Sequence, residues 1–289
     1  MSKLKAKDPK SATPSKPKIL VYGPPKAGKT YFALDFPSVY YIDTEGGANL
    51  DHYTDKLTKS GGVYFGPAEG ALDPEELIGQ FQALATEEHA YKTVVLDSVS
   101  KIWNSIITNE AARLGDKDAF GASKKPAIQF MRRLISWIDR IDMNVVLIAH
   151  EKATWVADKQ GEPTFDAFEK LGYELHLLFR AEKRGPKRLL VTKYSRFLQF
   201  TDGENLDLSY NAFAEKFGRD VIERAGAKVE IAGVEEVSEM KRLSELIKVS
   251  HEDVEKWLTK AGATCFEDMP KDKAKALVSF WQNKINGKT

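Results

Sequence analysis

Gly23-Pro24-Pro25-Lys26-Ala27-Gly28-Lys29-Thr30, preceded by the apolar run Ile19-Leu20-Val21-Tyr22 and followed by Tyr31 to Asp35, decides how this chain folds. The spacing is G-x-x-x-x-G-K-[ST] between a predicted strand and a predicted helix. Its glycines allow the backbone to curl so that successive N–H groups converge on phosphate oxygens, with the positive end of the following helix behind them. In this pattern the lysine, Lys29, reaches the β- and γ-phosphates, and the hydroxyl of Thr30 is offered to Mg²⁺. The candidate phosphate-binding residues are therefore Gly23, Pro24, Pro25, Lys26, Ala27, Gly28, Lys29, Thr30 and Tyr31, with ATP and Mg²⁺ as the expected ligands.

Working outward, Val39 to Ile42, Thr93 to Leu96 and Val145 to Ile148 are apolar, β-branched or aromatic runs of the kind that form buried parallel strands. Helical periodicity lies between them. Leu77, Ile78, Phe81 and Leu84 follow Asp73 and Pro74, a suitable N-cap and first-turn pair. Ile128, Met131, Leu134, Ile135, Ile138 and Ile141 mark a second amphipathic helix. The stretch from Phe168 to Phe179 reads as helical and precedes a fifth strand, Leu189 to Thr192. Alternating strands and helices predict an α/β core with a mainly parallel sheet.

The character changes after Tyr210. Leu243, Leu246 and Ile247, then Val254, Trp257 and Leu258, then Leu277, Phe280, Trp281 and Ile285 show helical spacing in three groups. Ser250 suits a helix start and Gly262 a helix stop. The expected organisation is a basic, disordered tail over 1–16, an ATPase core over 17–210, a linker over 211–240 and a small helical module over 241–289.

Composition narrows the classes. With 289 residues, 42% apolar and 29% charged, the chain has the profile of a soluble globular protein, and no run approaches the ~18 apolar residues of a membrane span. No apolar stretch of the secretory type follows the basic N-terminus. Cys265 is the single cysteine, which excludes an intrachain disulfide and fits a reducing cytoplasm. A net charge of +1 places any nucleic-acid contact on local patches.

Two strand ends carry acids. Asp97 closes Thr93-Val94-Val95-Leu96, where a carboxylate either caps the helix beginning at Val99 or supplies a second anchor for Mg²⁺; beside a phosphate loop the metal role is favoured. Val39-Tyr40-Tyr41-Ile42-Asp43-Thr44-Glu45-Gly46-Gly47 places two carboxylates at another strand end, where open α/β sheets bind ligands. Glu45 is the candidate for polarising an attacking water, Asp43 is suited to a local cap, and Gly46 and Gly47 to a turn.

In order and spacing, GPPKAGKT, YYIDTEGG, TVVLDSVS, VVLIAHEK and RLLVTKYSR resemble the RecA-like branch of P-loop ATPases over about residues 17 to 200. More narrowly, they resemble the phage-encoded, Sak-type group linked to single-strand annealing recombination. The resemblance implies a RecA-like P-loop NTPase core and assigns water activation to Glu45. It places His150 where the family senses the γ-phosphate, a position more often Gln in recombinases and His in hexameric helicases. Lys193 and Arg196 follow the fifth strand, where such assemblies put basic residues that reach a neighbour's ATP, although the spacing departs from the family's alternate-residue pairs. The two DNA loops of recombinases correspond to Gly115–Lys125 and Lys152–Lys170. Lys124, Lys125 and Lys159 are the expected phosphate contacts there, and Trp155 and Phe165 the expected base-stacking residues.

The function so implied is a DNA-stimulated ATPase acting on single-stranded DNA in phage recombination, within the bacterial host cytoplasm. Its expected partners are single-stranded DNA, a single-strand-binding protein and further copies of itself in a filament or ring. A ring-forming, helicase-like motor is one alternative, kept open by His150. An ATP-switched adaptor with negligible turnover is another.

Overall fold

The computed structural model describes residue 8 and residues 13–156 and 159–287. Most of the tail expected over 1–16 lies outside the described residues. In chain order the elements are β1 (Lys18–Gly23), α1 (Lys29–Leu34), β2 (Val39–Asp43), α2 (Asp51–Ser60), β3 (Val63–Phe65), α3 (Pro74–Thr86), β4 (Thr93–Asp97), α4 (Val99–Leu114) and α5 (Lys124–Arg140). Next come β5 (Asn144–Lys152), β6 (Trp155–Val156), β7 (Lys159–Gln160), β8 (Thr164–Phe165), α6 (Leu171–Glu174), β9 (Leu177–Arg184), β10 (Lys187–Ser195) and β11 (Asn205–Asp207). Helices α7 (Tyr210–Phe217), α8 (Arg219–Glu223), α9 (Val234–Leu246), α10 (His251–Ala261) and α11 (Lys271–Ile285) complete the chain.

The chain divides into two compact units, one formed by residues up to 64 with 91–98 and 143–225, the other by 65–90, 99–142 and the residues from 226 onward. The first holds the sheet, with strand order β11-β10-β9-β1-β5-β4-β2-β3. The pairs β9-β1, β1-β5, β5-β4 and β4-β2 are parallel, whereas β9-β10 and β10-β11 are antiparallel. The α/β fold with a mainly parallel sheet and helices at the C-terminus is therefore as the sequence predicts. The strand of the phosphate loop is separated from the strand ending in Asp97 by β5 alone, so the C-terminal ends of β1, β5, β4 and β2 form one edge.

Three local expectations are corrected. Residues 177–184, partly read as the end of a helix, form strand β9, because Leu177, Phe179 and Ala181 alternate as buried residues with half-exposed Leu178, Arg180 and Glu182. Only Leu171–Glu174 of the expected helix forms, a single turn. The expected linker over 211–240 carries most of α7, all of α8 and the first half of α9. Its anchor is Phe213, fully buried with ring centroids 5.5–6.1 Å from Phe32, Phe36, Phe179, Phe200 and Phe217. At the other boundary Lys16 is buried, and its ammonium donates to the carbonyls of Ile222 (3.3 Å) and Arg224, so the ordered core begins before residue 17.

In the second unit α5 packs against α3 and α4, and Asp73 caps α3 by accepting from the N–H groups of Glu75 (2.8 Å) and Glu76 (3.2 Å). The C-terminal helices share a small core of Met240, Leu243, Met269, Leu277 and Trp281. Ser250 caps α10 and Gly262 ends it with φ 71°, as predicted. No described helix is long and apolar enough to cross a membrane.

Candidate nucleotide site

The loop between β1 and α1 takes its shape from residues that tolerate positive φ: Gly23 at 145°, Lys26 at 61° and Gly28 at 102°. Any side chain at Gly23 would put its Cβ 2.4 Å from the carbonyl oxygen of Ala181 on the neighbouring strand β9. A Cβ at Gly28 would meet Arg188 Cδ at 3.0 Å and Leu208 at 3.1 Å. The loop is therefore a backbone cradle that only glycine allows at its two ends. Lys29 lies almost buried beneath it, its ammonium donating to the carbonyls of Gly23 (2.8 Å) and Pro24 (3.0 Å). Burial pushes its pKa down, while the nearby carboxylates of Asp97, Glu45 and Glu151 push it up.

Thr30, one residue on, donates its hydroxyl to Asp97 Oδ2 at 2.6 Å, and the hydroxyl of Tyr41 donates to the same oxygen at 3.2 Å. Desolvation raises the Asp97 pKa from 3.8 to about 6; the hydrogen bonds from Thr30 and Tyr41 lower it, and the charges of Glu45 and Asp43 raise it. Because the folded-state value lies above the ordinary one, the neutral form contributes stability that is complete below pH ~4 and is lost as pH rises through ~6. Above that, ionised Asp97 costs the empty fold up to about 3 kcal/mol. Asp97→Asn, which still accepts from Thr30 and Tyr41, is therefore expected to raise the melting temperature of the nucleotide-free protein by several degrees at pH 7.5, about 2–4 °C per kcal/mol, and not at pH 4. Equal shifts at both pH values would show that the Asp97 charge is not the cause.

Asp43 proves to be the local cap: its carboxylate accepts from the N–H groups of Glu45 (2.9 Å), Gly46 (2.9 Å) and Ala48 (2.7 Å). That turn directs Glu45 toward the end of β5. Glu45 Oε1 lies 2.5 Å from His150 Nε2 and accepts from the Ser98 hydroxyl at 2.6 Å. Ser98 is itself fixed by Thr44, whose hydroxyl accepts from the Ser98 N–H (2.8 Å) and donates to the Ser98 carbonyl (3.0 Å). Lys29, Thr30, Asp97, Glu45 and His150 line one cleft of about 620 Å³, together with Gly23, Lys26, Tyr53 and Glu151. A second cleft of about 600 Å³ shares Lys26, Lys29, Thr30 and Tyr53, and extends past Gly28 to Tyr31, Arg188 and Leu208.

These residues fit a Mg²⁺-bound nucleoside triphosphate. A backbone cradle closed to side chains, a lysine held only on carbonyls, and a hydroxyl–carboxylate pair of hard oxygen donors are the groups such a ligand requires. Among the described residues no cluster of three or more His, Cys, Asp or Glu stands ready to hold a metal by itself. A single carboxylate beside the phosphates is the usual way in which Mg²⁺ is held.

Other expected site residues lie elsewhere. Lys193, at an irregularity in β10, ion-pairs with Glu162, and Arg196 donates to the Tyr173 carbonyl, so both are engaged within their own chain and neither lines the clefts. Phe165, expected to stack on bases, is 6% exposed on β8 with its ring edge-to-face against Tyr22 at 6.1 Å. It is a core residue with no free face to offer. Trp155 is 69% exposed on β6, and Lys159 is exposed on β7. Lys124 and Lys125 are exposed in the first turn of α5 rather than in a loop. Sequence reasoning missed Ser98 and Arg188. The first carries a signal, being the hydroxyl next to the strand-end acid; the second has none, since its approach to Gly28 arises from the β9-β10 hairpin.

Fold and site together define a P-loop nucleotide-binding protein. A family model described as an AAA domain matches residues 15–205, well over half of the sequence, and the chain belongs to that family. No curated protein matches the sequence. Among solved structures it is similar to the RadB recombinase, with 21% identity and a TM-score of 0.42 over 68% of this chain and 89% of that one.

Proposed function

We propose that this chain is a Mg²⁺-dependent, RecA-like ATPase that acts on single-stranded DNA in recombination as a homo-oligomer. The observation that carries the reading is the meeting of Glu45, Ser98 and His150 within 2.5–3.3 Å of one another in the cleft lined by Lys29, Thr30 and Asp97. Lys29 and the loop N–H groups would bind and orient the triphosphate, and Thr30 with Asp97 would hold Mg²⁺, which when bound would neutralise charge building on the phosphates. Glu45 accepts the proton of the attacking water at its carboxylate, with Ser98 holding that carboxylate toward the cleft. His150 would exchange its contact with Glu45 for one with the γ-phosphate, which would register ligand state at the end of β5.

That strand leads directly into the proposed DNA segment. The His150 carbonyl accepts from the Asp166 N–H at 2.9 Å, and the intervening chain carries exposed Trp155 and Lys159. Single-stranded DNA should therefore bind more tightly with a non-hydrolysable ATP analogue than with ADP, and by linkage should tighten the analogue by the same factor. Trp155→Ala is expected to weaken DNA binding by about 1–3 kcal/mol with little change in salt dependence. On the other unit, Lys124 and Lys125 are proposed phosphate contacts, each worth about 0.7 of the salt slope. ATP turnover measured with and without single-stranded DNA, together with imaging for filaments, tests the whole reading. Closed rings in place of filaments, with turnover still stimulated by DNA, would favour the second reading, a helicase-like motor, which the motif resemblance at His150 keeps open.

A role for Lys193 and Arg196 in a neighbour's site requires them to leave Glu162 and Tyr173 on assembly. A phage source and a single-strand-binding protein as partner belong to the same proposal and rest on the motif resemblance alone.

A further inference from the structure

The C-terminal helices carry a second feature, remote in sequence from the nucleotide loop. Between α10 and α11 lies an apolar slot of about 190 Å³ lined by Trp257, Ala261, Met269, Ala276, Leu277 and Phe280, of which Met269 and Leu277 are buried. Lys260 and Lys273, both exposed, complete its lining, and no carboxylate is part of it. Phe280 is 48% exposed although it lies 5.2 Å from Trp257, ring to ring.

The charges beside the slot differ from those one turn away. Lys256 is held by Glu252 at 2.8 Å and Asp253 at 3.4 Å. Lys260 instead lies over the Trp257 ring at 5.5 Å, and Lys273 has only a loose contact of 3.9 Å with its neighbour Asp272. Two lightly neutralised ammonium groups thus border an open apolar recess. Its volume is below the roughly 300–1,000 Å³ of small-molecule sites, and suits one large apolar side chain as an anchor.

We infer that this slot docks an acidic peptide segment of a partner protein, seating one large apolar side chain between Trp257 and Phe280 and pairing its carboxylates with Lys260 and Lys273. A nucleobase is the less fitting occupant. The two aromatic rings are tilted 41° against each other instead of presenting parallel open faces, and the remaining apolar lining carries no ring.

The test uses the full-length protein and a fluorescein-labelled peptide of six aspartates and glycines ending in phenylalanine, followed by anisotropy. Saturable binding is expected, falling at least tenfold when the peptide's phenylalanine becomes alanine, when its aspartates become asparagines, or when the protein carries Lys260→Glu with Lys273→Glu. Phe280→Ala should have the same effect; if it unfolds the helices by circular dichroism, the two exposed lysine substitutions decide. ATP-analogue binding should be unchanged in all variants, which separates this contact from the nucleotide site. Absence of saturable binding, or binding that survives the lysine reversals, overturns the inference. So does oligothymidine binding that these variants abolish while the peptide fails to bind, which would make the slot a nucleic-acid surface.

Discussion

Lys29→Ala is expected to weaken Mg²⁺-ATP binding about a hundredfold or more while leaving the fold intact. The lysine ammonium is nearly buried, and its hydrogen-bond partners are two loop carbonyls, those of Gly23 and Pro24. Burial pushes its pKa down, which means that the empty protein gains little from keeping the charge there. The cation serves a ligand that brings negative charge. Two charge-assisted hydrogen bonds to phosphate, each worth about 1.5–3 kcal/mol, correspond to a hundredfold or greater change in affinity. Calorimetry with a non-hydrolysable analogue gives the affinity, and thermal unfolding without nucleotide gives the stability. A mutant that binds like wild type would show that the cradle is not the phosphate site.

The second large effect is kinetic. Glu45→Gln should bind the analogue normally yet hydrolyse ATP about 10²–10⁴ times more slowly, the range supplied by a positioned general base. An amide oxygen still accepts from Ser98, so the turn on Asp43 and the cleft keep their shape. Ser98→Ala should lower turnover less, with binding again unaffected, because it loosens the carboxylate without removing it. Single-turnover measurements at saturating ATP separate the two steps. Undiminished hydrolysis in the glutamine variant would assign water activation to another group, Glu151 being a further acid in the cleft beside Asp43 and Asp97.

The parts of this site that were legible from sequence are those fixed by local chemistry. A loop closed by Gly23 and Gly28 needs glycine wherever it occurs, and an acid ending an apolar strand faces the same edge as the loop in any parallel sheet. The position of Asp97 and Glu45 in the cleft beside the loop is therefore readable from the sequence. What escaped depends on strands that meet only after folding. Strand β9 was masked by Leu171, Leu175, Leu178 and Phe179, whose spacing mimics a helix, and only pairing with β1 exposes its alternation. Phe165 lies in a polar segment that looks like a mobile loop, yet it covers Tyr22 once β8 pairs with the end of β5. Phe213 likewise sits in a stretch that reads as a linker, and its burial follows from Phe32, Phe36, Phe179 and Phe200, contributed from outside its helix, together with Phe217 one turn on.

The hydrogen bond from Thr30 to Asp97 has a consequence for the order in which the site assembles. The hydroxyl oxygen and the carboxylate that should hold the metal already satisfy one another at 2.6 Å, with Tyr41 adding a second donor to the same oxygen. An ion arriving by itself must break this pair and shed water for one carboxylate. An ion arriving already bound to the triphosphate brings most of its own ligands and loses far less. The hydroxyl–carboxylate pair thus acts as a latch that favours one order of assembly, opening at lower cost to the metal–nucleotide complex than to free magnesium.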